Sequence, residues 1–148
     1  MGARRKSREL VLQVLFYMDI RKCYEPEMTE LFCEVFPPGQ KSKAFFCRLL
    51  DGILAQKSTI DSLIERHSSN WQLSRMAAVD RNLLRLAVYE LLYCEDIPQK
   101  VSINEAIDLG KKFGTDESGA FINGILDSIR MAIDAGDVTP DKSKESDQ

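Results

Sequence analysis

Four cations crowd the first eight residues: Arg4, Arg5, Lys6 and Arg8, with no acid among them. The segment from Arg4 to Ile20 has helical spacing, with Leu10, Val11, Val14, Leu15 and Met18 on one face. A helix N-terminus already carries about half a positive charge, so each cation there opposes the dipole by roughly 0.3–1 kcal/mol. Phosphates relieve that conflict, because they neutralise the side chains and accept hydrogen bonds from free helix N–H groups. The arm is therefore a candidate nucleic-acid contact, weighed against a plain solvated terminus whose charges aid solubility. The chain as a whole has a net charge of −3, so any such contact is a local basic arm and not a basic surface at large.

Other charged residues have simpler explanations. Lys111 and Lys112 end a helical segment, where cations suit the dipole. Lys100 precedes the same segment and has no such reason to be there. Arg81 and Arg85 stand one turn apart on an otherwise apolar helix, with Asp80 and Glu90 nearby, so this charged strip must face solvent or a partner.

Several kinds of chemistry are excluded. His67 is the one histidine of the 148 residues, so a His-cluster metal site cannot be assembled. At a helix end its imidazole suits the dipole, and Ser68-Ser69 beside it is a weak catalytic signal. Cys23, Cys33, Cys47 and Cys94 show no C-x-x-C spacing and read as reduced packing residues. Phosphate-loop, dinucleotide-binding and nucleophile-elbow motifs are missing. No apolar run approaches the roughly 20 residues of a membrane span, and no signal-peptide core opens the chain. A cytoplasmic protein without cofactor or metal, and not an enzyme, is expected.

The elements that must position these residues are helical, and no sustained period-two alternation occurs. A short amphipathic piece with Met28, Leu31, Phe32, Val35 and Phe36 is stopped by Pro37-Pro38-Gly39. A run over Lys41–His67 breaks near the polar Gln56–Thr59, and Trp71 sits in the connection behind it. Met76–Tyr93 is apolar on most sides, as the central helix of a bundle is, and Trp71 and Tyr93 read as packing residues. Ser102-Ile103-Asn104-Glu105 has the S-x-x-E form of a capping box, with Val101 and Ala106 as its staple. Gly114 stands where a left-handed cap belongs, and Gly124 inside the last helix suggests a close helix–helix approach. These signals predict an all-α single domain of six or seven helices over residues 1–134, with an acidic, disordered tail over 135–148.

Read in order, three sets of residues form a recognisable pattern. They are Arg4-Arg5-Lys6-Ser7-Arg8-Glu9; Asp80-Arg81-Asn82-Leu83-Leu84-Arg85-Leu86 with Ile97-Pro98; and Lys100-Val101-Ser102-Ile103-Asn104-Glu105-Ala106, Lys112-Phe113-Gly114 and Phe121-Ile122-Asn123-Gly124. The chain resembles the bacterial transcription antitermination factor family NusB from about Arg4 to Ile133. The stretch Cys23–Arg75 matches only in helical character.

The resemblance implies two packed helical subbundles. It implies binding of single-stranded boxA RNA in nascent ribosomal transcripts, with a small ribosomal-subunit protein as heterodimer partner. Other elongation factors and RNA polymerase are reached indirectly. Carried onto this chain, Arg4, Arg5, Lys6, Arg8, Lys100 and Lys111 become RNA contacts, with Glu117 and Ser118 in the loop flanking the RNA surface. Glu117 is an acid there and should weaken affinity. Asp80, Arg81 and Arg85 fall on the side that meets the ribosomal protein. The same domain resembles the RNA-binding part of an rRNA cytosine methyltransferase, but that enzyme needs a long C-terminal methyl-donor domain, and at 148 residues the enzyme is not the expected reading. A protein-only homodimer is the rival reading.

Overall fold

The computed structural model describes residues 2–69 and 71–139. Its helices are α1 (Ala3–Arg21), α2 (Pro26–Val35), α3 (Lys43–Ala55), α4 (Lys57–His67), α5 (Ala78–Tyr93), α6 (Gln99–Phe113) and α7 (Ser118–Asp134), with a 3-10 turn at Leu73–Arg75. The architecture is all-α, with no strand among the described residues. Helices α1–α3 form one packed group and α5–α7 another, while α4 touches α3, α5 and α7.

Sequence period explains the packing. On α1, Val11, Val14, Leu15 and Met18 recur at one-turn spacing and are wholly buried. α5 packs against α1, α3, α4, α6 and α7, so Leu83, Leu84, Leu86, Ala87 and Val88 are buried around its circumference. Pro26 opens α2 at a position where the missing N–H has no partner to lose. Gln56 splits α3 from α4, as its polar neighbourhood predicted, and its Oε1 accepts from the Tyr93 hydroxyl at 3.3 Å. Gly52 lets α3 approach α5, since a Cβ there would run into the buried Tyr89 ring.

The helix ends and one mid-helix glycine depart from what the sequence suggested. α6 begins at Gln99 behind Pro98, so Ser102 lies inside the helix, buried, and the capping box does not form. Pro98 stands just before the first helical residue, Gln99, so the helix starts one turn earlier than a cap at Ser102 would place it. Gly114 has an extended backbone (φ −101°), and its small size matters instead, because a Cβ would meet Ser118 Oγ and the Gly110 carbonyl. Gly124 is exposed with open space around it, so no helix approaches there. Gly136 (φ 81°) closes α7 with hydrogen bonds from Gly136 N to Ile133 O and from Asp137 N to Ala132 O. Val138 then packs on the core, so residues 135–139 belong to the folded unit; residues 140–148 lie outside the described residues.

Candidate nucleic-acid interface

The start of α1 is fixed by serines. Ser7 Oγ donates to the Ser42 carbonyl at 2.8 Å, and Ser42 Oγ donates to the Ala3 carbonyl at 3.2 Å, which ties α1 to the start of α3. Gly2 offers no capping side chain and the first turn holds no acid. The four cations then diverge around the helix at 100° per residue.

Arg8 points inward. Its Nε and Nη2 donate to the two oxygens of Glu90 at 2.9 and 2.8 Å, and Nη1 reaches Glu105 Oε1 at 3.3 Å. Ser102 Oγ donates to Glu90 Oε1 at 2.7 Å. Burial alone would lower the Arg8 pKa, but Glu90 and Glu105 raise it above the ordinary arginine value. Arg8 is thus an internal anchor and is not presented to a phosphate, a correction to its expected role. The residues Ser102 and Glu105 serve this anchor in place of a helix cap.

Arg5 lies along the surface of α6, paired with Glu105 and donating to Asp108 Oδ2 at 2.9 Å. Its hydrogen bonds to Glu105 and then Asp108 raise its pKa. Arg4 lies over the Phe45 ring, 4.7 Å from the centroid, and 3.7 Å from Asp96. Much of the charge conflict at this helix start is therefore relieved by acids of α5, α6 and their connection. Among the described residues, Lys6 has no carboxylate partner. It lines a concavity of about 390 Å3 with Arg5, Lys41 and Lys112, and Lys112 Nζ donates to Glu9 at 2.8 Å.

The remaining expected contacts are spread along α6 and its exit. Lys100 and Lys111 are exposed at opposite ends of α6, and the Lys111 stem lies against Gly119. Glu117 is exposed beside them. Ser118 is buried and its Oγ accepts from the Thr115 N–H at 2.9 Å, so it shapes the loop and offers nothing to a ligand. Trp71 is 54% exposed and meets the Phe121 ring edge-on at 6.0 Å, so it is less of a packing residue than expected, whereas Tyr93 is buried.

The strip expected to face a protein partner is inside the molecule. Arg85 donates to Asp61 from Nε at 2.8 Å and Nη2 at 3.1 Å, and to Asp19 from Nη1 at 3.0 Å. Arg81 Nε and Asn82 Nδ2 each donate to Asp19 at 2.9 Å, and the Tyr24 hydroxyl pairs with the same carboxylate. Asp80 is buried as well. The strip is covered because Asp19 of α1 and Asp61 of α4 supply acids that complete it, a long-range match that i,i+4 spacing cannot disclose. Arg81 and Arg85 show only as the floor of a polar cleft.

An apolar face went unrecognised in the sequence. Phe16, Phe36, Phe113 and Val79 line a concavity of about 350 Å3, and Leu31, Val35 and Tyr17 continue it beyond Phe36. Phe36 is 54% exposed and Val35 69%, although α2 reads as an ordinary amphipathic helix. Val35 and Phe36 continue the i, i+4, i+7, i+8 stripe of the buried Met28 and Phe32, so their spacing gives no sign that they stay exposed. His67 Nδ1 sits 2.8 Å from Ser128 Oγ, and burial, then Arg66, lowers its pKa, which disfavours the charged helix end that the sequence suggested. The four cysteines are free thiols.

A profile of the NusB family matches residues 5–131. The chain belongs to the NusB family. It is 57% identical over 133 residues to the transcription antitermination protein NusB of Desulfatibacillum aliphaticivorans, covering 90% of this chain and 93% of that one. A solved T. maritima NusB superposes with a TM-score of 0.79 at 39% identity, covering 97% of this chain and 96% of that one. NusB in a crystal structure of the antitermination factors NusB and NusE with dsRNA superposes at 0.79, with 28% identity and 89% and 98% coverage. In this NusB-family chain the blocks that carried the resemblance divide in two: part builds the buried Arg8 and Arg85 networks, and part remains on the surface.

Proposed function

We propose that this chain is a transcription antitermination factor that binds single-stranded boxA-type RNA in nascent ribosomal transcripts. It does so with a small ribosomal-subunit protein, joining other elongation factors on RNA polymerase in the cytoplasm, and it catalyses no reaction. The observation that carries the reading is the Lys6, Lys41 and Lys112 concavity at an uncapped helix start, on a chain of net charge −3. Phosphates fit there because the side chains are exposed and the first helix N–H groups have no side-chain acceptor.

In this account Arg4, Lys6, Lys100 and Lys111 meet RNA directly. Arg5 contributes after exchanging Asp108, its exposed partner, for phosphate. Arg8 positions the helix start, and Glu117 holds affinity down. The partner protein takes the apolar face around Phe36, since a monomer seldom leaves several aromatic and branched side chains exposed together. The polar cleft over Arg81 and Arg85 lies outside that contact.

Fluorescence anisotropy with boxA-like and scrambled RNAs, with and without the ribosomal protein, tests the reading. Preference for boxA that the partner strengthens, and that Phe36→Asp uncouples from the partner, is expected. Equal weak binding to both RNAs, with dimerisation of this chain through Phe36, would mean a protein-only module.

A further inference from the structure

Arg48 is a cation to which the sequence drew no attention. It extends from α3 to the α5–α6 connection, where Nη1 and Nη2 donate to the two oxygens of Asp96 at 3.0 and 2.6 Å. Arg4, coming from α1, stands 3.7 Å from the same carboxylate. The side chains of Arg4, Arg48 and Asp96 are 53, 39 and 48% exposed. Three separate elements thus bring two guanidinium groups onto one solvent-facing carboxylate, with the Phe45 ring under Arg4 as a platform.

This arrangement differs from the other arginine pairs of the chain. Arg8 and Arg85 are enclosed and satisfied by several acceptors. The Asp96 cluster is open to solvent, and its two guanidiniums share one carboxylate. Carboxylate and phosphate present the same paired oxygens to an arginine fork. An exposed ion pair contributes little to stability, so exchanging it for a phosphate sacrifices little. The Arg48 hydrogen bonds, ahead of the nearby Arg4 charge, hold the Asp96 carboxyl near 2, so it is a permanent anion at any working pH.

We propose that Arg4 and Arg48 form a phosphate-binding fork in which Asp96 is an exchangeable counter-ion, extending the RNA track from α1 onto α3. The inference rests on the RNA-binding reading above. Position 4 lies about 200° around α1 from Lys6. A strand crossing the helix start therefore meets Lys6 on one side and the fork on the other. Asp96 keeps the two guanidiniums spread and ready, and it sets how tightly RNA must compete for them.

The test is anisotropy with a labelled boxA-like RNA across a salt series, using Arg48→Gln, Asp96→Asn, the double variant and Asp127→Asn. The last removes one acid on α7, away from the fork, as a control for net charge. Arg48→Gln should weaken binding roughly 3–10-fold and reduce the log–log salt slope by about 0.7, the loss of one phosphate contact. Asp96→Asn should tighten binding more than Asp127→Asn does, and this gain should vanish in the double variant. Arg48→Lys, which keeps the charge without the fork, should fall between wild type and Arg48→Gln.

Wild-type affinity in Arg48→Gln, or weaker binding in Asp96→Asn, would overturn the fork while leaving the RNA-binding reading standing. It would mean that the Arg48–Asp96 pair only ties α3 to the α5–α6 connection. Failure of the wild type to bind RNA at low salt would overturn both.

Discussion

Arg8 and Glu90 meet face to face between α1 and α5, with two parallel hydrogen bonds of 2.9 and 2.8 Å and side chains only 3% and 1% exposed. The pair converts an arginine-rich helix start from an electrostatic conflict into a located element. It sets the rotation of α1, and that rotation decides which cations of the arm reach solvent.

Breaking this pair from one side leaves the buried Arg8 with only Glu105, which Arg5 shares, to balance its charge. Glu90→Gln should lower unfolding stability by about 3–5 kcal/mol, and Lys6→Gln should leave it within about 0.5 kcal/mol. Urea unfolding midpoints check this, and RNA affinity should separate the two variants in another way. Lys6→Gln weakens binding in a fully folded protein, whereas Glu90→Gln weakens it only as far as the start of α1 loosens.

Two glycines should respond oppositely to a methyl group. Gly124→Ala places it in open space on an exposed helix face and should stabilise by up to about 1 kcal/mol. Gly52→Ala drives it into the Tyr89 ring between α3 and α5, and should destabilise by about 1–3 kcal/mol. Thermal unfolding of both variants is a direct comparison.

Lys22 ends α1 in the left-handed region (φ 52°), with its N–H donating to Asp19 O and the Cys23 N–H to Met18 O. A residue with a Cβ is strained there by roughly 1–2 kcal/mol. Lys22→Gly should therefore raise stability by about 1 kcal/mol while the helix end keeps its hydrogen bonds. An unchanged or lower midpoint would show that the Lys22 side chain stabilises the cleft it borders.

Acid should act through two groups in different windows. Burial pushes the Asp19 carboxyl up, but Arg85, Asn82 and Arg81 together hold it below its ordinary value of 3.8. Its contribution is complete above that value and is lost as pH falls through the lower folded one. His67 is lowered from 6.5 by burial and then by Arg66, so the folded state disfavours its proton. That contribution is complete above pH 6.5 and is lost as pH falls towards the folded value. Unfolding midpoints across pH should decline below 6.5 in the wild type, less so in His67→Gln, and decline again below 3.8.

The helices were legible because their signals are local. Period placed Val11, Val14, Leu15 and Met18 inward, the polar Gln56 stretch marked a break, and the all-round apolar α5 proved central. Local reasoning failed where distant partners decide. Arg8 and Arg85 look like surface cations until Glu90, Asp19 and Asp61 arrive from other helices. Ser102 and Glu105 fit a capping box, but a better use for them exists across the interface with α1. Arg48 carried no motif, and only folding sets it beside Arg4 and Asp96.

The most direct test of the central claim is the salt dependence of RNA affinity. A boxA-like single strand should give a log–log slope of about −3 to −4, as expected for roughly 4–6 phosphate contacts. An Arg4→Gln/Lys6→Gln double variant should bind more weakly, with a slope smaller by about 1.4, and should melt like the wild type. A slope near zero, or unchanged affinity in a folded double variant, would contradict the account.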